Sequence, residues 1–358
     1  MDRSIIRGLG FAAVGTGVGV AMARRAARKA EAPFYDGTQP PGTPEQYGSV
    51  RFAMPIHFRH SHGFASLHAA SFDAVRETLP CAELRPLRLP DGHALVYVLA
   101  MRHADVTDGS DHPTTAYLPY GELTVAALVT RGPEWRLRTL VALSGAGSRG
   151  AELFVLHLPV THRQARDAGR LAWGLPKFVA DMDFDDDTVM QRVRVAEGDA
   201  HILTLTVRPG GRPMILRQTV AQCSVLDGRL LRMDMPSYAY MQRRFGGAEI
   251  EIGTDHPVAE DLRRLGLSRR ALVSWNIPAL RAVAMPGVPV GDATPYGGYA
   301  GMDRDFGRFT VRYPGTGPID QYAGIRAAAL EARAAMEARS AIEEAKAPRK
   351  RRTQPAVA

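Results

Sequence analysis

Lysine is nearly absent from this chain. The 358 residues include 45 Lys and Arg, yet only Lys29, Lys177, Lys346 and Lys350 are lysines, so the long stretch between the two ends holds Lys177 alone. A general bias toward arginine explains the scarcity but not the one that remains. Arginine stays charged at every physiological pH, and a position that needs an amine nucleophile must keep Lys. Cysteine is also scarce: Cys81 and Cys223 give no disulfide framework and no metal-type spacing. There is no fixed-period repeat and no glycine-rich phosphate loop. Long apolar runs are missing too. The nearest is the uncharged run of sixteen residues at 8–23, which contains five glycines and falls short of the roughly 20 apolar residues of a spanning helix.

The formal charge of +8 suggests a nucleic-acid or membrane partner until it is located. Residues 1–30 carry six basic and one acidic side chain, and residues 323–358 carry eight basic and four acidic. The ends thus hold +5 and +4, and the body is close to −1. A neutral body has no broad basic face for a phosphate backbone, so no nucleic-acid partner is expected. Residues 1–30 remain a candidate signal, membrane anchor or loose tail, because a basic start and an apolar stretch are followed at once by Arg24, Arg25, Arg28 and Lys29. The expected location is cytoplasmic, with membrane association or export through this segment as the alternatives. Residues 321–358 read as an Ala-rich helix and a basic tail, suited to contact between copies in a homo-oligomer.

The body, residues 31–320, alternates short strand-like runs with turns. An extended lead-in rich in Pro, Gly and Thr is followed by a helix over residues 71–79, capped by Ser71 and stopped by Pro80. Strands are predicted at 94–101, 123–130, 137–144, 152–158, 188–195, 201–208 and 215–226. Two helices interrupt them, one at 161–173 ended by Gly174 and Pro176, the other at 257–265 with Pro257 early and Gly266 after its end. This pattern implies a mainly β (α+β) protein, an antiparallel barrel or double-sheet core with a few short helices.

The run Gly169-Arg170-Leu171-Ala172-Trp173-Gly174-Leu175-Pro176-Lys177-Phe178 resembles the signature of the acetoacetate decarboxylase family, Gly-Arg-Glu followed shortly by Pro-Lys-Lys. Tyr120-Gly121-Glu122 is similar to the family's Tyr-x-Glu, residues 57–79 to its first strand and helix, and the Asp-His-Pro run near 255 to its C-terminal part. The resemblance spans roughly residues 50–290. It implies a decarboxylase-like barrel in which Lys177 forms a Schiff base with a keto acid and Glu122 and Tyr120 line the site. The departures are specific: Phe178 stands for the second lysine, Leu171 for the glutamate of the first run, Leu99 for an upstream glutamate, and Ser61 for an arginine, with Arg59 two residues away.

An amine attacks a carbonyl only when neutral, and an ordinary lysine, with a pKa of about 10.4, is protonated at pH 7; an apolar pocket is one way to favour the neutral form. Phe178 would add an apolar wall if it turned inward, whereas strand alternation would put it on the opposite face. Glu122 could move a proton at the enamine carbon or orient the substrate. Arg59 could fork onto a substrate carboxylate. His57, His60, His62 and His68 invite a metal reading, but no carboxylate or cysteine spacing supports one. The acidic run Asp181, Asp183 and 185–187 reads as a turn rather than a cation loop. Neither metal nor cofactor is expected. The expected reaction is decarboxylation of a keto acid through a Lys177 iminium, with aldol or dehydration chemistry on the same lysine, or a non-catalytic apolar-ligand or membrane-associated barrel, as the alternatives.

Overall fold

The computed structural model describes residues 42–47, 50–110, 119–131, 151–187, 189–295, 299 and 301. The chain divides into two units, Met1–Tyr313 and Pro314–Ala358, and every described residue belongs to the first. The segment 1–30, the strand predicted at 137–144 and the helix and tail at 321–358 lie outside the described residues.

In chain order the elements are β1 (Glu45–Tyr47), β2 (Val50–Phe52), β3 (Ile56–Ala70), α1 (Phe72–Thr78), β4 (Arg85–Pro86), β5 (Ala94–Thr107), β6 (Tyr120–Thr130), β7 (Glu152–Val160), α2 (Arg163–Trp173), β8 (Lys177–Val179), β9 (Asp181–Asp186), β10 (Gln191–Glu197), β11 (Ala200–Val207), β12 (Arg212–Leu226), β13 (Arg229–Phe245), β14 (Ala248–Ile252), α3 (Pro257–Arg264), β15 (Val273–Ala284) and β16 (Val288–Asp292). Strands β6, β5, β3, β15, β13, β12 and β7 follow one another edge to edge, and β7 pairs back with β6 to close a seven-stranded barrel. Closure leaves the barrel with no open edge along these strands. A second sheet, ordered β14-β11-β10-β9, packs beside it.

Every barrel pairing is antiparallel except that of β7 with β12, which spans only Leu153 and Phe154 against Gln222 and Cys223. Beyond that point β12 no longer pairs with β7. The same edge of β7 is taken by β8, parallel, with Leu158, Pro159 and Val160 opposite Lys177, Phe178 and Val179. This forked edge inserts Lys177 between two barrel strands.

The helices form close to their expected bounds, with the cap of α1 at Ser71 as expected and that of α2 at His162, for which the sequence reading named no cap. Ser71 Oγ accepts from Ala74 N at the start of α1, and His162 Nδ1 accepts from Gln164 N at the start of α2. Gly174 ends α2 with a left-handed φ of 65°, and a Cβ there would lie 2.2 Å from Val225 O, so both backbone and packing call for glycine. Long strands β13 and β15 were not anticipated, because Pro236 and Pro278 lie inside them and proline argues against a strand interior. Pro278 falls where the register of β15 against β3 shifts, between Ile277 and Leu280. The acidic run also differs from its expectation. It is strand β9 rather than a turn, and Asp183 and Asp185 sit directly opposite Arg194 and Arg192 of β10, an opposite-charge pairing that offsets the low strand propensity of Asp. Among the described residues no helix is long and apolar enough to cross a membrane.

Between the barrel and the second sheet lies the largest apolar core, which takes in Phe64, Leu123, Leu205 and Phe178. Phe178 is fully buried, stacked 6.1 Å from the His256 ring and edge-on to Tyr299 at 5.2 Å. Phe178→Ala should therefore lower the unfolding free energy by about 3–5 kcal/mol, measurable by chemical denaturation; a loss under about 1 kcal/mol would show that this side chain does not anchor the core.

Candidate active site

Lys177 is fixed by its own neighbourhood in sequence. After the left-handed Gly174, Leu175 N returns to Gly169 O at 3.1 Å and Lys177 N to Leu175 O at 2.7 Å, a tight turn with Pro176 at its centre. Arg170, buried in α2, donates from Nε to the Lys177 carbonyl at 2.5 Å. Gly169 leaves the notch through which the lysine stem passes, since a Cβ there would come within 2.5 Å of Lys177 Cδ and 2.6 Å of Cε. The glycine and arginine of the sequence signature thus act on the lysine directly, one by absence of a side chain and the other by holding the backbone.

The ammonium of Lys177 reaches into the barrel and donates to Glu122 Oε2 at 2.8 Å. Both groups are withdrawn from solvent, the Lys177 side chain 7 % exposed and that of Glu122 16 %. Glu122 belongs to a wall in which direct cross-strand pairs stack: Leu99 with Thr124, Met101 with Glu122, His103 with Tyr120. Alternation along β5 and β6 sends these six side chains to one face. Tyr120 packs its ring 5.6 Å from Lys177 Nζ on one side and 4.7 Å from the His103 ring on the other. His103 is held by Ser61, whose Oγ lies 2.8 Å from Nδ1, and its Nε2 faces Glu122 Oε1 at 3.9 Å, an electrostatic contact too long for a hydrogen bond.

These groups line a cavity of about 80 Å³ closed by Ala165, Ala168, Gly169 and Trp173 of α2 and by Met233, Met235 and Leu280 from the opposite side of the barrel. Two larger clefts, about 560 and 680 Å³, lie elsewhere and are more open. Their lining residues do include ion pairs, His157 and Arg264 with Asp261 in one and Arg269 and Arg270 with Glu249 in the other, but neither contains a lysine, and the small cavity that holds Lys177 is the candidate site.

The structure brings Lys177, Glu122 and Tyr120 together. It does not bring Arg59 or Phe178 to them. Arg59 lies at a bulge, where the pairing of β3 shifts register after Phe58; Phe58 lines the cavity, while Arg59 Nε donates to Thr107 Oγ1 at 2.8 Å. Phe178 is turned by strand alternation into the core behind β8, which corrects the reading of it as a substrate wall. Sequence reasoning missed His103, Thr124 and Gln222. The first two carried a usable signal, since they share the period-2 face of Leu99 and Met101 or of Tyr120 and Glu122. His60 and His62 have ring centroids 6.2 Å apart, His68 contacts Ser66 Oγ and Ser268 O, and among the described residues no group of three His, Cys, Asp or Glu could hold a metal ion.

Burial by itself would push the Glu122 carboxyl up, but the charge of Lys177, followed by His103, outweighs it and holds the group down at about 2. A carboxyl depressed below its ordinary 4.5 contributes stability that is complete above that pH and is lost as pH falls toward 2. Converting the depression gives about 3 kcal/mol across the window. In denaturant unfolding at pH 5 and pH 3, the loss of stability on acidification should be about 2 kcal/mol smaller for Glu122→Gln than for the unaltered chain; an equal loss would mean that the pair is not formed in solution.

Residues 39–275 match the family Acetoacetate decarboxylase (ADC). Among solved structures, the enduracididine biosynthesis enzyme MppR, complexed with the condensation product of pyruvate and imidazole 4-carboxaldehyde, aligns over 72 % of this chain and 99 % of its own, with a TM-score of 0.50 and 12 % identity. An acetoacetate decarboxylase from Legionella pneumophila aligns over 67 % of this chain and 88 % of its own, with a TM-score of 0.49 and 16 % identity. No curated protein matches in sequence. The family match covers well over half of the chain and includes both the lysine run and the Tyr-Gly-Glu strand, and the protein belongs to the acetoacetate decarboxylase family.

Proposed function

We propose that the protein is a Schiff-base-forming lyase for a small keto acid, with Lys177 as the nucleophile and Glu122 as its proton partner. The observation that carries this reading is the buried pair itself: the only lysine of the body stands 2.8 Å from a carboxylate inside a small, mostly apolar cavity. Glu122 takes the ammonium proton as substrate enters, and the neutral amine attacks the keto carbon. Glu122 passes that proton to the carbinolamine hydroxyl, which leaves as water to give an iminium that retains the substrate's carbon skeleton. Its positive nitrogen accepts the electron pair released when the C–C bond to a β-carboxylate breaks, so that carbon dioxide leaves and an enamine remains. Glu122, reprotonated from water, gives a proton to the enamine carbon, and hydrolysis of the resulting iminium frees the ketone and the lysine.

Decarboxylation is the leading outcome on family grounds. A second outcome, aldol condensation, uses the same enamine with an aldehyde as the electrophile. It is favoured by one feature of the site: among the described lining residues there is no second lysine, because Phe178 occupies that sequence position and faces the core. MppR, whose solved complex holds a condensation product of pyruvate, shares the fold.

Sodium borohydride with a panel of keto acids that includes pyruvate and acetoacetate should reduce an imine on Lys177, read as a mass increment on the peptide containing that residue and lost in Lys177→Met. No adduct with any member of the panel would leave a non-catalytic barrel as the account of this protein. Glu122→Gln should slow adduct formation by about 10²–10⁴-fold, followed by quenched-flow trapping; a change of less than threefold would remove Glu122 from the proton transfer.

A further inference from the structure

His103 is a titratable side chain of the cavity whose chemistry the Lys177–Glu122 pair does not use. It is 5 % exposed and lies among the lining residues. Its Nε2 is buried with no hydrogen-bond partner. A buried polar atom left in that state in a folded protein calls for an explanation, and a ligand group is one. The ring cannot swing to find another partner, because it is clasped between Phe58 at 4.7 Å and Tyr120 at 4.7 Å and tied at Nδ1 to Ser61 Oγ at 2.8 Å. When the Ser61 hydroxyl donates to Nδ1, the ring proton sits on Nε2, which is then a donor aimed into the site.

Every keto acid brings a carboxylate that must be met by donors. Arg59 is not in the lining, and the sequence position where the family resemblance calls for an arginine is Ser61, the residue that holds His103. Among the described lining residues, Lys177 and His103 are the only two that can carry positive charge, and Lys177 is consumed by the keto carbon. His103 and Lys177 face the same Tyr120 ring and the same carboxylate, Oε1 for one and Oε2 for the other, which keeps them within the span of one small molecule. Glu122 is the group that would repel an incoming carboxylate, and its charge is offset by Lys177 on the far oxygen.

We propose that His103 anchors the substrate carboxylate through Nε2–H while the keto carbon meets Lys177, so that His103 selects keto acids over neutral ketones. This rests on the Schiff-base reading above. Borohydride trapping with pyruvate and with acetone separates the two ideas. In His103→Gln the ratio of pyruvate adduct to acetone adduct should fall at least about tenfold, and in Ser61→Ala, where the ring is free to change tautomer, by about threefold. An unchanged ratio in His103→Gln would overturn the anchor while leaving Lys177 as the nucleophile. A second measurement needs no imine: in Lys177→Met/Glu122→Gln, which removes both members of the buried pair, labelled with ¹⁵N-histidine, pyruvate should shift the His103 Nε2 resonance. A shift there, with no adduct in the unaltered protein, would retain the anchor and remove the Schiff base. No shift would overturn the anchor.

Discussion

A lysine and a glutamate taken out of water together must each recover, from the other and from their surroundings, what solvation supplied. At 2.8 Å in a largely apolar cavity, Lys177 and Glu122 do so only while both stay in place. Much of the barrel's local design serves that requirement. The edge of β7 is divided between β12 and β8, so that the lysine enters between barrel strands. Gly169 gives the stem passage, Arg170 grips its carbonyl, and Gly174 turns the chain where a side chain would strike Val225. Removing either charged partner would leave the other buried alone, a costlier state than having neither. The same arrangement puts a carboxylate at hydrogen-bond distance from the one amine of the cavity.

Strand β8 is three residues long and separates two environments. On one face Lys177 meets the cavity; on the other Phe178 closes the core against His256 and Tyr299. In the resemblance, position 178 would hold a second amine. Here it contributes burial, and the electrostatics of the cavity rest on one amine, one carboxylate and one imidazole. The walls contributed by β13, β15 and α2 are methionine, leucine, alanine and tryptophan. Methionine adapts its shape at little cost, so the charged groups are rigidly held while the apolar wall that meets the rest of a substrate can yield.

Legibility in the sequence followed the range of the interactions. Lys177 stood out because every other Lys or Arg position of the body is arginine and because Pro176 precedes it. Helix ends were readable from Ser71, Gly174 and Pro257, since a cap acts within one turn. The barrel was legible as a class, from strand-length apolar runs between turns. Strands β13 and β15 were not legible, because each holds a proline that only the tertiary pairing accommodates: Pro236 falls in the gap along one edge of β13 between its pairings with β16 and β15, and Pro278 at a register shift of β15 against β3. The acidic strand β9 was misread because its stabilising partners, Arg192 and Arg194, come from the opposing strand.

The sequence by itself determined which residue can act as an amine nucleophile, the mainly β class of the fold, the helix boundaries around the lysine, and the neutrality of the body between its basic ends. These are properties of composition and of contacts a few residues apart. Only the tertiary structure decided that Arg59 turns to Thr107, that Phe178 faces the core, and that His103 stands beside Glu122 with Ser61 behind it. Each of those outcomes depends on strand register, and register is set by pairings between distant segments, about 50 residues apart for His57 with Thr107 and more than 200 for β3 with β15.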